Sequence, residues 1–297
     1  MLKESSRRLL VTAALLLTAT ALLTSHLAQA SLGQRTASQM QENYDAARVD
    51  CGGSAIPAHG CSGVLIRATK PSPKYHTWHH SPNNKAKGGV SFSYLRADLP
   101  ITRLAADARS GFTLYPRMQR PAGSISYQVL CAWPTDGDTW TREQQGCGNN
   151  SETTSNERLC HEQGIMTAQA WIDQFRRTGD YRRQCAFDVR DARTTERAEA
   201  FYQSLVAQRL FASELPYPWN EVILQTWDED QSHRLPIQSF FHIEGMWGAL
   251  EQAQEDQKDW HSTYGTYIPI IRIRMPLQAH DKATFSYDSK EQAVPTS

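Results

Sequence analysis

The 297-residue chain carries 31 basic and 31 acidic side chains, and 40% of its residues are hydrophobic against 21% charged. That balance fits a globular protein and excludes disordered, collagen-like and coiled-coil chains. It also excludes a dedicated nucleic-acid binder, since neutralising phosphates takes a basic surface; the densest basic patch, Arg176, Arg177, Arg182 and Arg183, is interleaved with acidic residues.

From the N-terminus, Lys3, Arg7 and Arg8 precede an apolar run, Leu9 to Leu23, and Ala28-Gln29-Ala30 follows it. A basic region, an apolar core and an A-x-A site are the three parts of a secretory signal peptide. The run of roughly 15 residues is short of the roughly 20 that cross a bilayer, so cleavage after Ala30 is expected, with no later membrane span. The mature protein would then be secreted or periplasmic. Residues 31–50 read as a polar lead-in, 51–287 as one domain and 288–297 as a polar tail.

Within that domain, Gly63 to Thr69, Val90 to Leu95, Phe112 to Tyr115 and Ser124 to Trp133 have the β-branched, aromatic or alternating character of strands. Residues 70–89 are rich in Pro, Lys, Asn and Gly and predict a loop. Residues 134–160 predict a disulfide-tied loop. Ile165 to Arg177 shows helical spacing through Ile165, Ala168, Trp171, Ile172 and Phe175. A strand at Gln184 to Arg190 and a helix at Thr195 to Ser213, opened by Thr194, come next. Strands at Glu221 to Trp227, Ile237 to Ile243 and Ile268 to Met275 close the pattern, with a helix over about 246–262 between the last two. With no repeat and no long linker, one α+β domain with a mostly β core is the simplest account.

All six cysteines, Cys51, Cys61, Cys131, Cys147, Cys160 and Cys185, lie beyond residue 30. An even count in an exported chain predicts three disulfides, and sequence alone does not choose the connectivity. Cys51–Cys61 is the best local pair, across a glycine-rich turn; Cys131–Cys147 and Cys160–Cys185 complete the set. No C-x-x-C spacing points to a metal.

Three strings carry chemistry. In Gly63-Val-Leu-Ile-Arg67-Ala-Thr69 an arginine interrupts an apolar strand and wants an anion. In Ser91-Phe92-Ser93 two hydroxyls share one face of a strand. In Trp219-Asn220-Glu221-Val222-Ile223-Leu224 a carboxylate heads an apolar strand. Each alone also has an ordinary reading as a solvated or structural polar residue.

Taken in order, the three strings resemble the arginine–serine–glutamate class of mono-ADP-ribosyltransferases and NAD glycohydrolases. Over the whole mature chain, CSGVLIRATKPSPKYHTW, GGVSFSYLRAD and LPIQSFFHIEG resemble halovibrin-like secreted bacterial proteins of that type. The resemblance implies a mixed β core of ADP-ribosyltransferase-like type with flanking helices, and a cysteine-bearing elaboration over 131–185. It implies NAD as substrate, with no bound cofactor or metal, and cleavage of the nicotinamide–ribose bond. Glu221 would stabilise the cationic ribose, Arg67 would grip the pyrophosphate, Ser91 would orient Glu221 or the ribose, and Ser93 would help bind the substrate. Phe92, Tyr94 or Trp78 would stack on nicotinamide. Position 219 is Trp, where the family places Glu or Gln to select an acceptor side chain, so hydrolysis is expected ahead of transfer to a protein acceptor.

Other readings compete. Tyr75-His76-Thr77-Trp78-His79-His80 offers three histidines for a zinc hydrolase, though H-x-x-H-H lacks an acidic neighbour in sequence. His242 and Glu244 alternate to one face as an acid–base pair. An exported, non-enzymatic protein using its tryptophans and tyrosines to bind carbohydrate or protein is the non-catalytic alternative. No G-x-S-x-G, P-loop or G-x-G-x-x-G motif is present.

Overall fold

The apolar runs become strands of a single sheet in the computed structural model, which describes residues 32–52, 55–70, 76–86, 88–105, 108–137, 159–179, 184–190, 194–214, 219–227, 234–278 and 280–294. Its elements are α1 (32–45), β1 (Val64–Ala68), α2 (Pro82–Ala86), β2 (Val90–Leu95), β3 (Ser110–Leu114), β4 (Gln128–Trp133), α3 (Ala168–Thr178), β5 (Phe187–Asp188), α4 (Thr194–Phe211), β6 (Glu221–Gln225), β7 (Ile237–Ile243), α5 (Ala249–Tyr264), β8 (Ile270–Arg274) and β9 (Thr284–Ser286). Among the described residues the fold is mixed α+β: nine strands in the order β5-β4-β6-β2-β1-β3-β7-β8-β9, with helices on both faces. Neighbours are antiparallel except β7 and β8, which run parallel and are joined by α5, the kind of crossover a parallel pair requires.

Side chains alternate along a strand and register partners share a face, so the pairing sorts the residues. One row runs Ser93–Ile66–Thr113–Ser239 across β2, β1, β3 and β7. The next row, Arg67–Phe112–Phe240, projects from the opposite face. On that second face Trp78 and Trp260 of α5 pack against Phe240, at centroid distances of 6.0 and 6.3 Å, and Phe201 of α4 meets Tyr94 at 5.2 Å. Full burial of side chains this large contributes roughly 2–3 kcal/mol each, which makes the aromatic face the main core. The serine face is covered by α1, where Met40 contacts Ser239.

That helix replaces the expected polar lead-in. Ala37, Met40 and Tyr44 are buried at helical spacing, but the stripe is narrow and completed by Gly33, Thr36 and Asn43, which mask it in the sequence. Gly33 is required for the fit: a Cβ there would lie 2.1 Å from the Tyr287 ring. The segment after Tyr287 is polar, as expected, yet it packs. Gln292 bonds both N and O of Ile270, and Val294 is buried. The hydroxyl-rich strand expected from Ser124 starts only at Gln128, the one at Gln184 to Arg190 shrinks to two residues, and β9 was not foreseen.

Disulfides Cys51–Cys61 and Cys160–Cys185 form as paired from sequence. Cys131 is also disulfide-bonded; Cys147 and the rest of 138–158 lie outside the described residues, as do residues 1–31 and with them the signal segment expected over 1–30. The Cys160–Cys185 bridge anchors a second, smaller core in which Trp171 and Phe175 of α3 meet Phe211 of α4. Thr167 caps α3 by accepting from Ala170 N, and Gly179 ends it at φ 66°. Among the described residues no helix is long and apolar enough to cross a membrane.

Candidate functional site at the junction of β6, β2 and β1

The strands bearing the three chemical strings are consecutive neighbours in the sheet, in the order β6-β2-β1. On β2, Ser91 opposes Ile223 and Phe92 opposes Val222. Continuing that register sets Ser93 opposite Glu221 and Tyr94 opposite Asn220, so Ser91, Ser93 and Glu221 share a face. The last step is made by a side chain: Asn220 Oδ1 accepts from Tyr94 N at 2.7 Å, and its Nδ2 donates to Tyr94 O at 3.0 Å and to Gln208 Oε1 at 2.9 Å. The Asn220 amide thus mimics a backbone unit and fixes the register of the residue beside it.

Arg67 alternates to the other face, with Phe92 and Tyr94. Its guanidinium carbon stands 5.9 Å from the Phe92 ring centroid, and Nη1 donates to the Ser91 carbonyl at 2.8 Å. It lies near the end of β1, so its head still reaches the cavity that opens there. This cavity, of about 260 Å³, is lined by Arg67, Lys70, Ser91, Phe92, Ser93 and Leu104 among others. Two cations and two hydroxyls in one small cavity fit an anionic, hydroxyl-bearing ligand. Lys70 and the segment carrying Leu104 have no motif around them; only pairing of β1 with β2 and β3 brings them there.

Glu221 is not among the residues lining this cavity. Its carboxylate is buried on the same face as the serines, opposite Trp133 of β4, and accepts from Gly137 N at 3.0 Å. A Cβ at position 137 would lie 2.9 Å from Glu221 Oε2, so glycine is what admits the carboxylate. Trp219 is buried as well and is not presented to an acceptor.

The aromatic candidates separate. Phe92 lines the cavity. Tyr94 is fully buried between Phe201 and Gly63, and donates its hydroxyl to Ser62 O at 2.7 Å. Burial pushes its pKa up to about 12. Trp78 is buried against Trp260 and Phe240, away from the cavity. Neither Tyr94 nor Trp78 offers a ring face to a ligand, because both rings are buried, Tyr94 in the core and Trp78 between the core and His76.

The histidine string has a different role from the one its spacing suggests. His76 Nδ1 bonds Asp259 Oδ2 of α5, His76 stacks on Trp78 at 4.7 Å, and His79 Nε2 lies 3.5 Å from the Tyr264 hydroxyl. Burial lowers the pKa of both His79 and His80. Among the described residues no group of three His, Cys, Asp or Glu side chains is placed to hold a metal. Beside this string lies Asp256, whose burial pushes its pKa up to about 7. Its Oδ1 accepts from Gln252 Nε2 at 3.1 Å, while Oδ2 has no hydrogen-bond partner. His242 and Glu244 are not hydrogen-bonded to one another; His242 Nε2 bonds Glu291 Oε2 at 3.1 Å and Glu244 pairs with Arg274.

No protein-family model matches this chain, and no curated protein matches its sequence.

Proposed function

We propose that the protein is an exported enzyme that cleaves the nicotinamide–ribose bond of NAD, on a sheet of ADP-ribosyltransferase-like type. The observation that supports this reading is the adjacency of β6, β2 and β1, which sets Ser91, Ser93 and Glu221 on one face by long-range pairing and brings Arg67, from the other face, to the cavity that the two serines line.

In the proposed reaction the C–N bond breaks with both electrons leaving on nicotinamide, and the ribose carbon passes through an oxocarbenium-like state before water adds to it. The carboxylate of Glu221 stabilises that cation in a site from which water is largely excluded, and the water's proton leaves to solvent. Arg67 and Lys70 hold the pyrophosphate at the cavity, and Ser91 and Ser93 orient the ribose. Buried Trp219 supports water rather than a protein side chain as the acceptor. A second reading, an exported binding protein without catalysis, is favoured by the absence of Glu221 from the cavity lining and by its bond from Gly137.

The test is nicotinamide release from NAD by residues 31–297 with disulfides intact, beside Glu221→Gln. The enzyme reading predicts turnover that falls about 10²–10³-fold in the variant, equivalent to about 3–4 kcal/mol of transition-state stabilisation. Intact NAD with the folded wild type would leave the binding-protein reading. Activity that survives in the variant would move the carboxylate role away from Glu221.

A further inference from the structure

Large apolar side chains that face solvent singly are normal, but a cluster of them at one end of a fold marks a contact. Trp247 is 88% exposed and Leu277 is 92% exposed, the two most exposed large apolar residues among those described. They sit on two loop tips at the same end of the sheet, one following β7 and the other following β8. Met246, itself 42% exposed, and Leu277 line one cavity of about 540 Å³ together with Leu104, Met275, Arg103 and Arg274.

The Trp247 tip is built rather than loose. Gly245 and Gly248, at φ 76° and 73°, flank Met246-Trp247 and allow a backbone course that side-chain-bearing residues rarely adopt. Arg109 Nη1 donates to Trp247 O at 3.0 Å. Glu244 N donates to Ile273 O at 2.9 Å, and the Glu244 carboxylate pairs with Arg274, so the two tips are tied together. The fold therefore holds an indole in water at a fixed place, against the hydrophobic cost of doing so.

We infer that this end of the sheet docks on the interface of a lipid bilayer bearing anionic headgroups, with Trp247, Leu277 and Met246 entering the headgroup–acyl boundary. Tryptophan favours that boundary because its ring is apolar and its N–H remains solvated. Among the described residues of the segments 102–109, 244–248 and 274–278, Arg103, Arg109 and Arg274 stand against Glu244, a net positive charge that suits an anionic surface. The area argues against a second protein: three side chains on projecting tips offer a few hundred Å² at most, against roughly 800 Å² per partner in a stable interface. Inserted tips need no matching surface. Such docking is peripheral and requires no spanning segment.

The test is co-sedimentation of residues 31–297 with vesicles of phosphatidylcholine and phosphatidylglycerol, and with phosphatidylcholine alone. Residues 1–30 are omitted so that the apolar run Leu9–Leu23 does not contribute; every described element lies within 32–294. The expected result is binding to the anionic vesicles, weaker binding to the neutral ones, and at least about a tenfold loss for Trp247→Ser/Leu277→Ser. A Leu210→Ser control, at an isolated residue 60% exposed on α4, is expected to bind like wild type. Near-UV circular dichroism checks that both variants keep the native core. Absence of binding to anionic vesicles, equal binding to neutral ones, or an unchanged double variant overturns the inference. A lipid-free dimer that dissociates in the double variant overturns it too, in favour of self-association.

Discussion

Glu221 and Asp256 are both buried carboxyls, on opposite sides of the sheet, and the protein treats them differently. Glu221, among the serines, receives a backbone N–H from Gly137 and has a glycine shaped to admit it. Asp256, on α5 over the aromatic face, has one oxygen with no hydrogen bond and a pKa pushed up to about 7 by burial. The first carboxyl is hydrogen-bonded and closely fitted by a glycine, whereas the second is buried with one oxygen unpaired. A buried polar group is costly when unsatisfied and cheap when paired, so the two carboxyls differ in what their burial costs the fold.

The largest effect that would sharpen this contrast is a pH-dependent one at Asp256. Its native pKa lies above the ordinary 3.8, so the folded state keeps a proton that the unfolded state releases. The stability this group contributes is full below pH 4 and is lost as pH rises through 7. Asp256→Asn, which removes the ionisation, is expected to gain on wild type by as much as about 4 kcal/mol at pH 8 and by nothing near pH 4. Urea midpoints at the two pH values read this directly; equal differences at both would erase the contrast.

Next in size, Glu221→Ala is expected to lose about 2–3 kcal/mol, because it leaves a cavity and orphans the Gly137 N–H. Glu221→Gln, which keeps an acceptor oxygen, is expected to unfold close to wild type in the same titration. Asn220→Ala removes both bonds to Tyr94 and is expected to cost about 1–2 kcal/mol. Slower amide exchange at Tyr94 in wild type than in the variant would tie that loss to the register beside Glu221. The smallest effect is expected for His76→Ala. Its pairing with Asp259 is partly exposed to water, so thermal unfolding should shift by less than about 1 kcal/mol.

Much of this was legible in sequence where the signal was local. Val90 to Leu95 and Ile237 to Ile243 match their strands end for end, because alternation or an apolar, aromatic run bounded by breakers is a short-range pattern. Cys51–Cys61 and Cys160–Cys185 could be paired because 10 and 25 residues separate their members. What escaped depends on distant partners. Lys70 and Leu104 join the cavity only through strand pairing, and Asp259 reaches His76 from 183 residues away. Tyr94 and Trp78 looked like ligand-stacking rings because composition does not tell which face of a strand, or which side of a loop, will be covered by a helix.

The seam between α1 and β9 bears on the order in which the chain can become native. Tyr44 Oη accepts from Ala283 N, Gln41 Oε1 accepts from Phe285 N, and Asp45 pairs with Lys282, across sequence separations of 239, 244 and 237. Contacts this distant carry a large loop-closure cost and slow folding. A chain delivered from its N-terminus would hold α1 with its buried stripe uncovered until the last strand arrives, so completing this outer seam is a late event, and the step most exposed to interception by proteases or by other unfinished chains.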